Sequence, residues 1–337
     1  MPKRDNQKIR ILCLLKIFRE YTDEENALTR KEIEKKLSEY DIEVERKTFA
    51  DDINALRLFS SINGDRDYIE KTSDNRYYLS NREFELPELK LLVDAVQASK
   101  FITHKKSKKL IEKIETFASK KQTKELQRQV YVDNRIKTEN ESIYYAVDHI
   151  HEAINKKVKI TFLYFTWDVN KHEVYKKGGE KYVISPWALV WDDENYYMVG
   201  YDSTEKRIKH FRVDKMIDTV LTENERDGAE HFKNFDTALY SRQTFGMFGG
   251  KEEHVTLRCT NKNEIVGIII DRFGKDVKIT NITDSHFEIH VKVCTSPLFY
   301  SWLMNFGSDI KILAPPSVID GYLKLAREGI NQYEEND

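Results

Sequence analysis

The first 82 residues carry the hydrophobic pattern of three helices and a hairpin. An apolar stripe at helical spacing lies within Ile9–Ile17, and Thr29 with Glu32 forms a capping box that opens a second helix. A third stripe recurs at i, i+4 and i+7, and its members are Phe49, Ile53 and Leu56. Two short strands rich in aromatic and β-branched residues then flank a turn at Ser73–Asn75. Three helices followed by a hairpin predict a winged helix-turn-helix.

The period of the hydrophobic pattern changes twice in the rest of the chain. Helical stripes resume at Leu86 and continue to about Asn155. Four later segments alternate with period two and are separated by turns: Val158–Tyr164, Tyr182–Val190, Tyr196–Tyr201 and Lys209–Val213. Short strands of this kind predict a small β-barrel. From Val255 onward, strands and helices follow the order β-α-β-β-α-β, and a closing helix follows Pro315 and Pro316, which predicts a ferredoxin-like domain.

These patterns together predict an α+β multidomain protein. Its parts are a winged helix-turn-helix DNA-binding domain at 1–82, a helical connector at 83–155, a β-barrel sensor domain at 156–235 and a C-terminal extension at 250–335. The length of 337 residues agrees with several domains, because it exceeds what one compact core accommodates. The apolar stripes of the connector favour either core packing or subunit contact, so we expect a homodimer.

Composition and charge narrow the function. Hydrophobic residues make up 40% and charged residues 33% of the chain, which is typical of a water-soluble globular protein. The N-terminal stretch has no signal-peptide core and no apolar segment is long enough to span a bilayer, so we expect a cytoplasmic protein without a membrane partner. The formal net charge of −2 gives no global positive field, so any DNA-binding surface must be local.

The sequence offers no motif of an enzyme. The three cysteines lack the paired spacing of a zinc site or of a disulfide framework. His149 and His151 lie two residues apart in a predicted helix and so point to different faces. The glycines within 246–250 lack the preceding strand and the following Lys-Ser/Thr of a phosphate-binding loop. We therefore expect no catalysis, no metal and no cofactor.

The third predicted helix carries the candidate DNA-binding residues, which are Arg46, Lys47, Thr48, Asn54 and Arg57. The segment Lys47–Leu56 resembles the recognition helix of DeoR-type DNA-binding domains, which reads basic-Thr-apolar-x-x-Asp-apolar-x-x-Leu. The sequence departs from that family at Glu45, where Ser is frequent, and at Ala50 and Asp51, where basic residues are common. This helix is expected to enter the major groove of double-stranded operator DNA. The alternative is a winged helix that makes only protein contacts.

Three later blocks resemble the WYL domain. They are Ser185–Leu189, Asn195–Gly200 and Lys209–Met216, in the order and at the separations of that family. The naming Trp-Tyr-Leu triplet is altered here to Tyr-Tyr-Met at 196–198. The C-terminal strands and helices are similar to the WCX extension that accompanies such domains. The resemblance implies a WYL domain-containing transcriptional regulator, cytoplasmic and usually homodimeric, with an Sm/SH3-like barrel as its sensor.

The resemblance also implies an effector pocket in the barrel. The pocket residues of the family carry over to Ser185, Tyr197, Lys209, His210 and Arg212. Cationic side chains suit phosphate oxygens, and an aromatic face can stack a base. We therefore expect a nucleic-acid-like or otherwise negatively charged effector, such as an oligonucleotide or nucleotide, to modulate operator binding. The alternative is an RNA- or single-strand-binding protein whose barrel is its main binding surface.

Overall fold

The computed structural model describes residues 6–126, 137–233, 240 and 242–334. Within these residues, no helix is both long enough and apolar enough to cross a membrane. The chain divides into two compact units, Met1–Glu141 and Ser142–Asp337. The boundary falls inside the predicted connector, whose last helix is grouped with the C-terminal unit. Parts of the predicted domains lie outside the described residues, at 1–5, 127–136, 234–235 and 335.

The described part of the N-terminal unit consists of six helices and one small sheet. The helices are α1 (Asn6–Tyr21), α2 (Arg30–Ser38), α3 (Arg46–Ile62), α4 (Leu86–Ala98), α5 (His104–Glu115) and α6 (Lys120–Leu126). The strands are β1 (Leu28–Thr29), β2 (Tyr68–Lys71) and β3 (Arg76–Ser80). They form an antiparallel sheet in the order β1-β3-β2, in which β2 and β3 make the hairpin. Three helices and a hairpin thus follow one another as the hydrophobic pattern predicts.

A capping box sets the junction between β1 and α2. The Thr29 hydroxyl accepts the Glu32 N–H at 3.3 Å, and the Glu32 carboxylate accepts the Thr29 N–H at 2.7 Å. Two of the N–H groups that a helix start leaves unpaired are therefore satisfied. The apolar faces of α1, α2, α3 and the hairpin then meet in one core, which includes Leu14, Phe18, Ile33, Leu37, Phe49, Ile53, Ile69 and Leu79.

The buried face of α1 differs from the predicted stripe. Ile9 and Leu12 are 54% and 66% exposed, whereas Leu14, Ile17 and Phe18 are fully buried. Toward the start of the helix, the buried face includes Arg10, four residues before Leu14. A search for apolar residues passes over an arginine, so the predicted stripe followed Ile9 and Leu12 instead, on the wrong face of this end of the helix.

A buried ion pair joins α1 to α3. The Arg10 guanidinium contacts both carboxylate oxygens of Asp52, at 2.5 and 2.9 Å. The two side chains are only 11% and 6% exposed. The hydrogen bond to Asp52 raises the pKa of Arg10 above its usual value. Two parallel bonds between planar groups fix the angle of α3 against α1 more tightly than apolar contact alone.

The C-terminal unit begins with a helix and a curled sheet. The helix is α7 (Ile143–Lys156). The strands are β4 (Val158–Trp167), β5 (Glu173–Tyr175), β6 (Tyr182–Asp192), β7 (Asn195–Asp202), β8 (Arg207–Arg212) and β9 (Met216–Glu225). A short 3-10 turn at Lys176–Gly179 follows β5, and another at Val213–Lys215 joins β8 to β9.

The curled sheet is arranged around β4, which pairs antiparallel with β5, β6 and β9. Strands β6, β7 and β8 continue from it as an antiparallel meander. Helix α7 packs against β4, β6 and β9 and buries Ile143, Ala146, Ile150 and Ala153. The result is a half-barrel, and in the described chain β8 has β7 as its single strand neighbour.

A second sheet follows in the same unit. Its elements are β10 (Lys251–Thr260), α8 (Asn263–Phe273), β11 (Lys278–Thr280), β12 (His286–Thr295), α9 (Pro297–Met304), β13 (Ile310–Ala314) and α10 (Pro316–Glu334). The strand order is β11-β12-β10-β13, and all neighbours are antiparallel. The element order is the predicted β-α-β-β-α-β followed by the predicted closing helix. Its core includes Val255, Leu257, Ile269, Ile289, Phe299 and Leu303.

Candidate functional site

A pocket of about 850 Å³ lies in the C-terminal unit, beside the edge strand β8. Its lining comes from the half-barrel and from the start of the second sheet, and it includes Tyr164, Lys176, Tyr182, Arg207, Ile208, Lys209, His210, Tyr240, Gly249 and Glu252. A concave site of this size accommodates a small ligand or part of a larger one. The pocket is therefore the candidate effector site.

Strand β8 contributes to the pocket from both of its faces. In its register with β7, Ile208 lies opposite Tyr201 and His210 opposite Val199. Ile208 and His210 therefore lie on the face of the sheet where Val199, Tyr201 and Phe232 form a hydrophobic cluster. Because successive side chains of a strand point to opposite faces, Arg207, Lys209 and Phe211 lie on the other face. The pocket therefore opens along the edge of β8 itself.

An aromatic cluster forms the floor on the Phe211 side. The rings of Phe162, Tyr164, Tyr182 and Phe211 pack with centroids 5.0–6.4 Å apart. Burial raises the pKa of Tyr164 to about 12, so its hydroxyl stays protonated at neutral pH. Because Phe162 stacks on one face of Tyr182 and the Lys177 ammonium lies 4.3 Å from the centroid of its ring, the faces of that ring are largely occupied.

The cations of the pocket differ in what they already bind. The Lys209 ammonium lies 2.8 Å from Asp202 and also contacts Glu205, and only 14% of its side chain is exposed. Arg207 contacts the same Glu205. Lys176 is exposed, lies 5.9 Å above the Tyr164 ring, and is paired with no carboxylate among the described residues. Lys176 is therefore the cation best placed to receive an anionic ligand.

His210 lines the pocket as a neutral ring. Its Nε2 lies 2.7 Å from the Tyr240 hydroxyl, and the two rings stack with centroids 5.7 Å apart. Burial lowers the pKa of His210 from 6.5 to about 4. At neutral pH this histidine therefore offers hydrogen bonding and a flat surface to a ligand, and no positive charge.

The lowered pKa of His210 predicts a pH dependence of stability. The unfolded chain takes up the proton at higher pH than the folded one, so the contribution of His210 is complete above pH 6.5 and is lost as the pH falls toward 4. His210→Gln cannot titrate but can still bond to Tyr240, and it should lose less stability between pH 7 and pH 4.5. Urea unfolding at both values measures the difference, and equal losses would contradict the assignment.

The structure brings together two of the five predicted effector residues, Lys209 and His210. The other three do not line the pocket. Ser185 is fully buried, and its hydroxyl accepts the Asp227 N–H at 2.9 Å. Tyr197 is 8% exposed and belongs to the hydrophobic cluster beneath β7. Its ring does not present an open face for stacking.

Arg212 is bound within the half-barrel. Its guanidinium donates to both carboxylate oxygens of Asp214, at 3.1 and 2.8 Å, and to the Asn195 side chain at 3.0 Å. These contacts fix the turn that joins β8 to β9. About a third of the side chain remains exposed, and its Nε and Nη2 groups are engaged by Asp214 and Asn195.

Sequence reasoning missed Tyr164, Tyr182, Lys176 and Arg207. Tyr164 lies within β4 and Tyr182 begins β6, and Lys176 lies in the turn between these strands, directly after β5. A signal was present in the sequence, because a lysine pair at 176–177 is followed by two glycines and an aromatic strand start. Their convergence, however, depends on the curl of the sheet, which no local pattern reports.

The candidate DNA-binding residues divide into two groups. Arg46, Lys47 and Asn54 are exposed on one side of α3, and no ion pair engages the two cations within the described residues. Thr48 is partly buried. The Arg57 guanidinium instead donates to the Ile69 carbonyl at 2.8 Å, and so ties α3 to the hairpin. The exposed face also includes Asp51, an acid at a position where DeoR-type domains commonly have a basic residue.

In the part of the chain that the structure describes, no group of three or more His, Cys, Asp or Glu side chains is placed to hold a metal ion. Cys259 and Cys294 are buried, and burial raises the pKa of both thiols. They are therefore thiols at neutral pH and pack as small hydrophobic side chains.

The chain thus combines a helical N-terminal unit with a curled β-sheet that has a pocket beside its edge strand. The WYL domain model matches residues 145–221, and the WCX domain model matches residues 251–330. The chain therefore contains a WYL domain and a WCX domain. The WYL match begins within α7 and ends within β9, so it covers the half-barrel.

The solved structures that match this chain include two proteins of low sequence identity to it. Proteasome accessory factor B/C (PafBC) of Arthrobacter aurescens is 16% identical, with a TM-score of 0.28 over 93% of this chain. This chain spans only 45% of the length of that protein. A CRISPR Cas-related protein is 12% identical, with a TM-score of 0.35 over 100% of this chain and 87% of the other. No curated protein matches the chain.

Proposed function

We propose that the chain is a transcription regulator that binds double-stranded DNA through its N-terminal unit and a negatively charged effector through the pocket beside β8. The observation that carries the proposal is the pocket itself, which borders the edge strand of the WYL-matched half-barrel and presents Lys176 without a carboxylate partner among the described residues. A regulator needs a ligand that binds two states of the protein with different affinity, and a pocket that joins two sheets is suited to that task.

The DNA-binding part of the proposal rests on α3. A helix fits the major groove, and residues near its N-terminus can reach base edges and phosphates. Arg46 and Lys47 lie in the first turn of α3, exposed and without acidic partners in the described chain. The apolar side of the same helix is buried against α1 and the hairpin, which acts as the wing. We propose a homodimer, because a dimer with two-fold symmetry matches the two half-sites of a palindromic operator.

Selection from random-sequence double-stranded DNA tests the proposal. The expected product is an inverted repeat whose half-sites are about one helical turn, or a multiple of it, apart. A thymidine tetranucleotide, dT4, added to the complex should change the affinity for the selected site. No enriched double-stranded sequence, combined with tight binding of single strands, would instead favour a protein that uses the half-barrel as its nucleic-acid surface.

Lys176→Ala tests the effector part. Removal of one cation that meets a phosphate should weaken binding of dT4 roughly three- to tenfold at low salt and reduce the slope of log affinity against log salt by about 0.7. Lys181→Ala is the matched control, because Lys181 is exposed nearby but does not line the pocket. Fluorescence anisotropy of labelled dT4 measures both variants. Equal effects of the two substitutions would place the anion site elsewhere.

A further inference from the structure

The edge of β8 that faces the pocket is a row of main-chain hydrogen-bonding groups. In the described chain, β8 pairs with β7 along one side, and no second strand covers the other side. In an antiparallel ladder, alternate residues direct both their N–H and their C=O away from the partner strand. Half of the main-chain groups of β8 must therefore point away from β7.

One hydrogen bond shows which residues these are. The Arg212 N–H donates to the Tyr164 hydroxyl at 3.3 Å, so Arg212 directs its N–H away from β7. By alternation, His210 and Ile208 direct their N–H and C=O groups the same way. Both residues line the pocket. The pocket therefore contains two adjacent donor and acceptor pairs, and Tyr164 closes the row at one end.

This arrangement matches the edge of a nucleobase. An extended residue holds its own N–H and C=O side by side, and the Watson–Crick edge of an unstacked base offers an acceptor beside a donor. A base bonded to β8 would continue the plane of the sheet. Phe211 and Tyr182 would then lie on one side of that plane, and His210 and Tyr240 on the other. The site thus combines main-chain bonds with aromatic side chains that border the base on both sides; they confine it to the plane of the sheet, since the faces of Tyr182 are largely occupied.

We propose that the free edge of β8 binds a nucleobase of the effector through the main-chain groups of Ile208 and His210, while Lys176 meets its phosphate. The inference rests on the proposed function, because it specifies how the same pocket recognises an anionic effector. It explains why side-chain motifs alone do not reveal the base-recognition groups: they belong to the backbone. It also restricts the ligand to one with an unpaired base, since a duplex keeps that edge occupied.

The test compares dT4 with two modified tetranucleotides. One has abasic sites and the other has N3-methylthymine, which lacks the N3–H donor. The wild-type protein should bind dT4 about tenfold more tightly than either, as expected for one or two net hydrogen bonds. Fluorescence anisotropy at fixed ionic strength keeps the phosphate contribution constant. This comparison needs no variant and therefore does not depend on refolding.

Ile208→Pro removes one outward N–H from the row. Because this N–H lies outside the ladder with β7, a proline is tolerated there as on other edge strands. Ile208→Ala is the matched control, because it loses the same apolar packing but keeps the N–H. The preference for dT4 over the abasic strand should fall several-fold in Ile208→Pro and persist in Ile208→Ala. Circular dichroism confirms that both variants fold.

The outcomes separate this inference from the proposed function. If the wild type binds dT4 and the abasic strand equally, with salt-dependent affinity, the anion site stands and base recognition by β8 is wrong. If it binds none of the strands, the proposed effector class fails as well. An unchanged preference in Ile208→Pro also overturns the inference. So does displacement of dT4 by a short peptide of alternating valine and threonine, because that would identify the edge as a strand-addition site.

Discussion

Replacing Asp52 by alanine is expected to destabilise the N-terminal unit by about 3–5 kcal/mol. The substitution leaves the Arg10 guanidinium, only 11% exposed, without its carboxylate partner. A buried charge that loses its partner costs far more than the pair contributes, because the charge cannot recover its hydration. Urea unfolding followed by far-ultraviolet circular dichroism measures the loss.

Two further variants separate the charge effect from packing. Asp51→Ala is the matched control, because Asp51 is exposed next to Asp52 and its removal should change stability by less than about 0.5 kcal/mol. Arg10→Met combined with Asp52→Leu replaces the pair by apolar side chains and should recover most of the stability. If Asp52→Ala unfolds no more easily than Asp51→Ala, the ion pair does not stabilise the packing of α3 against α1.

The hydrophobic pattern alone identified the buried side of an element where that side consists of apolar residues only. Phe49, Ile53 and Leu56 are all buried on α3, as their spacing predicts. The capping box at Thr29 marks the start of α2 to the residue. Such features are local, because one turn of helix or one pair of side chains decides them. They transfer from sequence to structure without knowledge of the fold.

The pattern failed where a charged residue belongs to a buried face. Arg10 lies on the same side of α1 as Leu14, Ile17 and Phe18, but its place there depends on Asp52, 42 residues away. Sequence reasoning instead extended the stripe through Ile9 and Leu12. A pairing between distant side chains cannot be read from one helix.

The pocket was only half predictable for a related reason. Resemblance to the WYL domain pointed to β6, β7 and β8, and the pocket does lie along β8. It could not show which way each side chain points, because a shift of one residue in strand register exchanges the faces. It also could not show which side chains the protein itself occupies: Arg212 bonds to Asp214 and Asn195, and Tyr197 packs in a hydrophobic cluster, so neither lines the pocket, whereas Lys176 lines it from a turn that carries no family motif.

The proposed DNA-binding role leads to the largest functional effect. Arg46→Ala combined with Lys47→Ala should weaken binding to the selected double-stranded site about 100-fold or more at low salt. The two cations lie at the start of α3, where the N-terminal end of the helix also attracts phosphate. The slope of log affinity against log salt should fall by about 0.9 for each phosphate that the variant no longer neutralises. Mobility-shift titrations at several salt concentrations measure both quantities.

Charge-matched variants distinguish a specific face from a general loss of positive charge. Lys108→Ala with Lys109→Ala removes two exposed cations from α5 of the same unit and should leave DNA affinity nearly unchanged. Asp51→Asn removes an acid from the exposed face of α3 and should tighten binding by about 1 kcal/mol, roughly fivefold. Lys47 and Asp51 lie one helical turn apart. If loss of the lysine charge weakens DNA binding and loss of the aspartate charge tightens it, phosphates must face that side of α3. If both double substitutions weaken binding equally, or if Asp51→Asn has no effect, α3 does not enter the groove and the winged helix serves protein contacts instead.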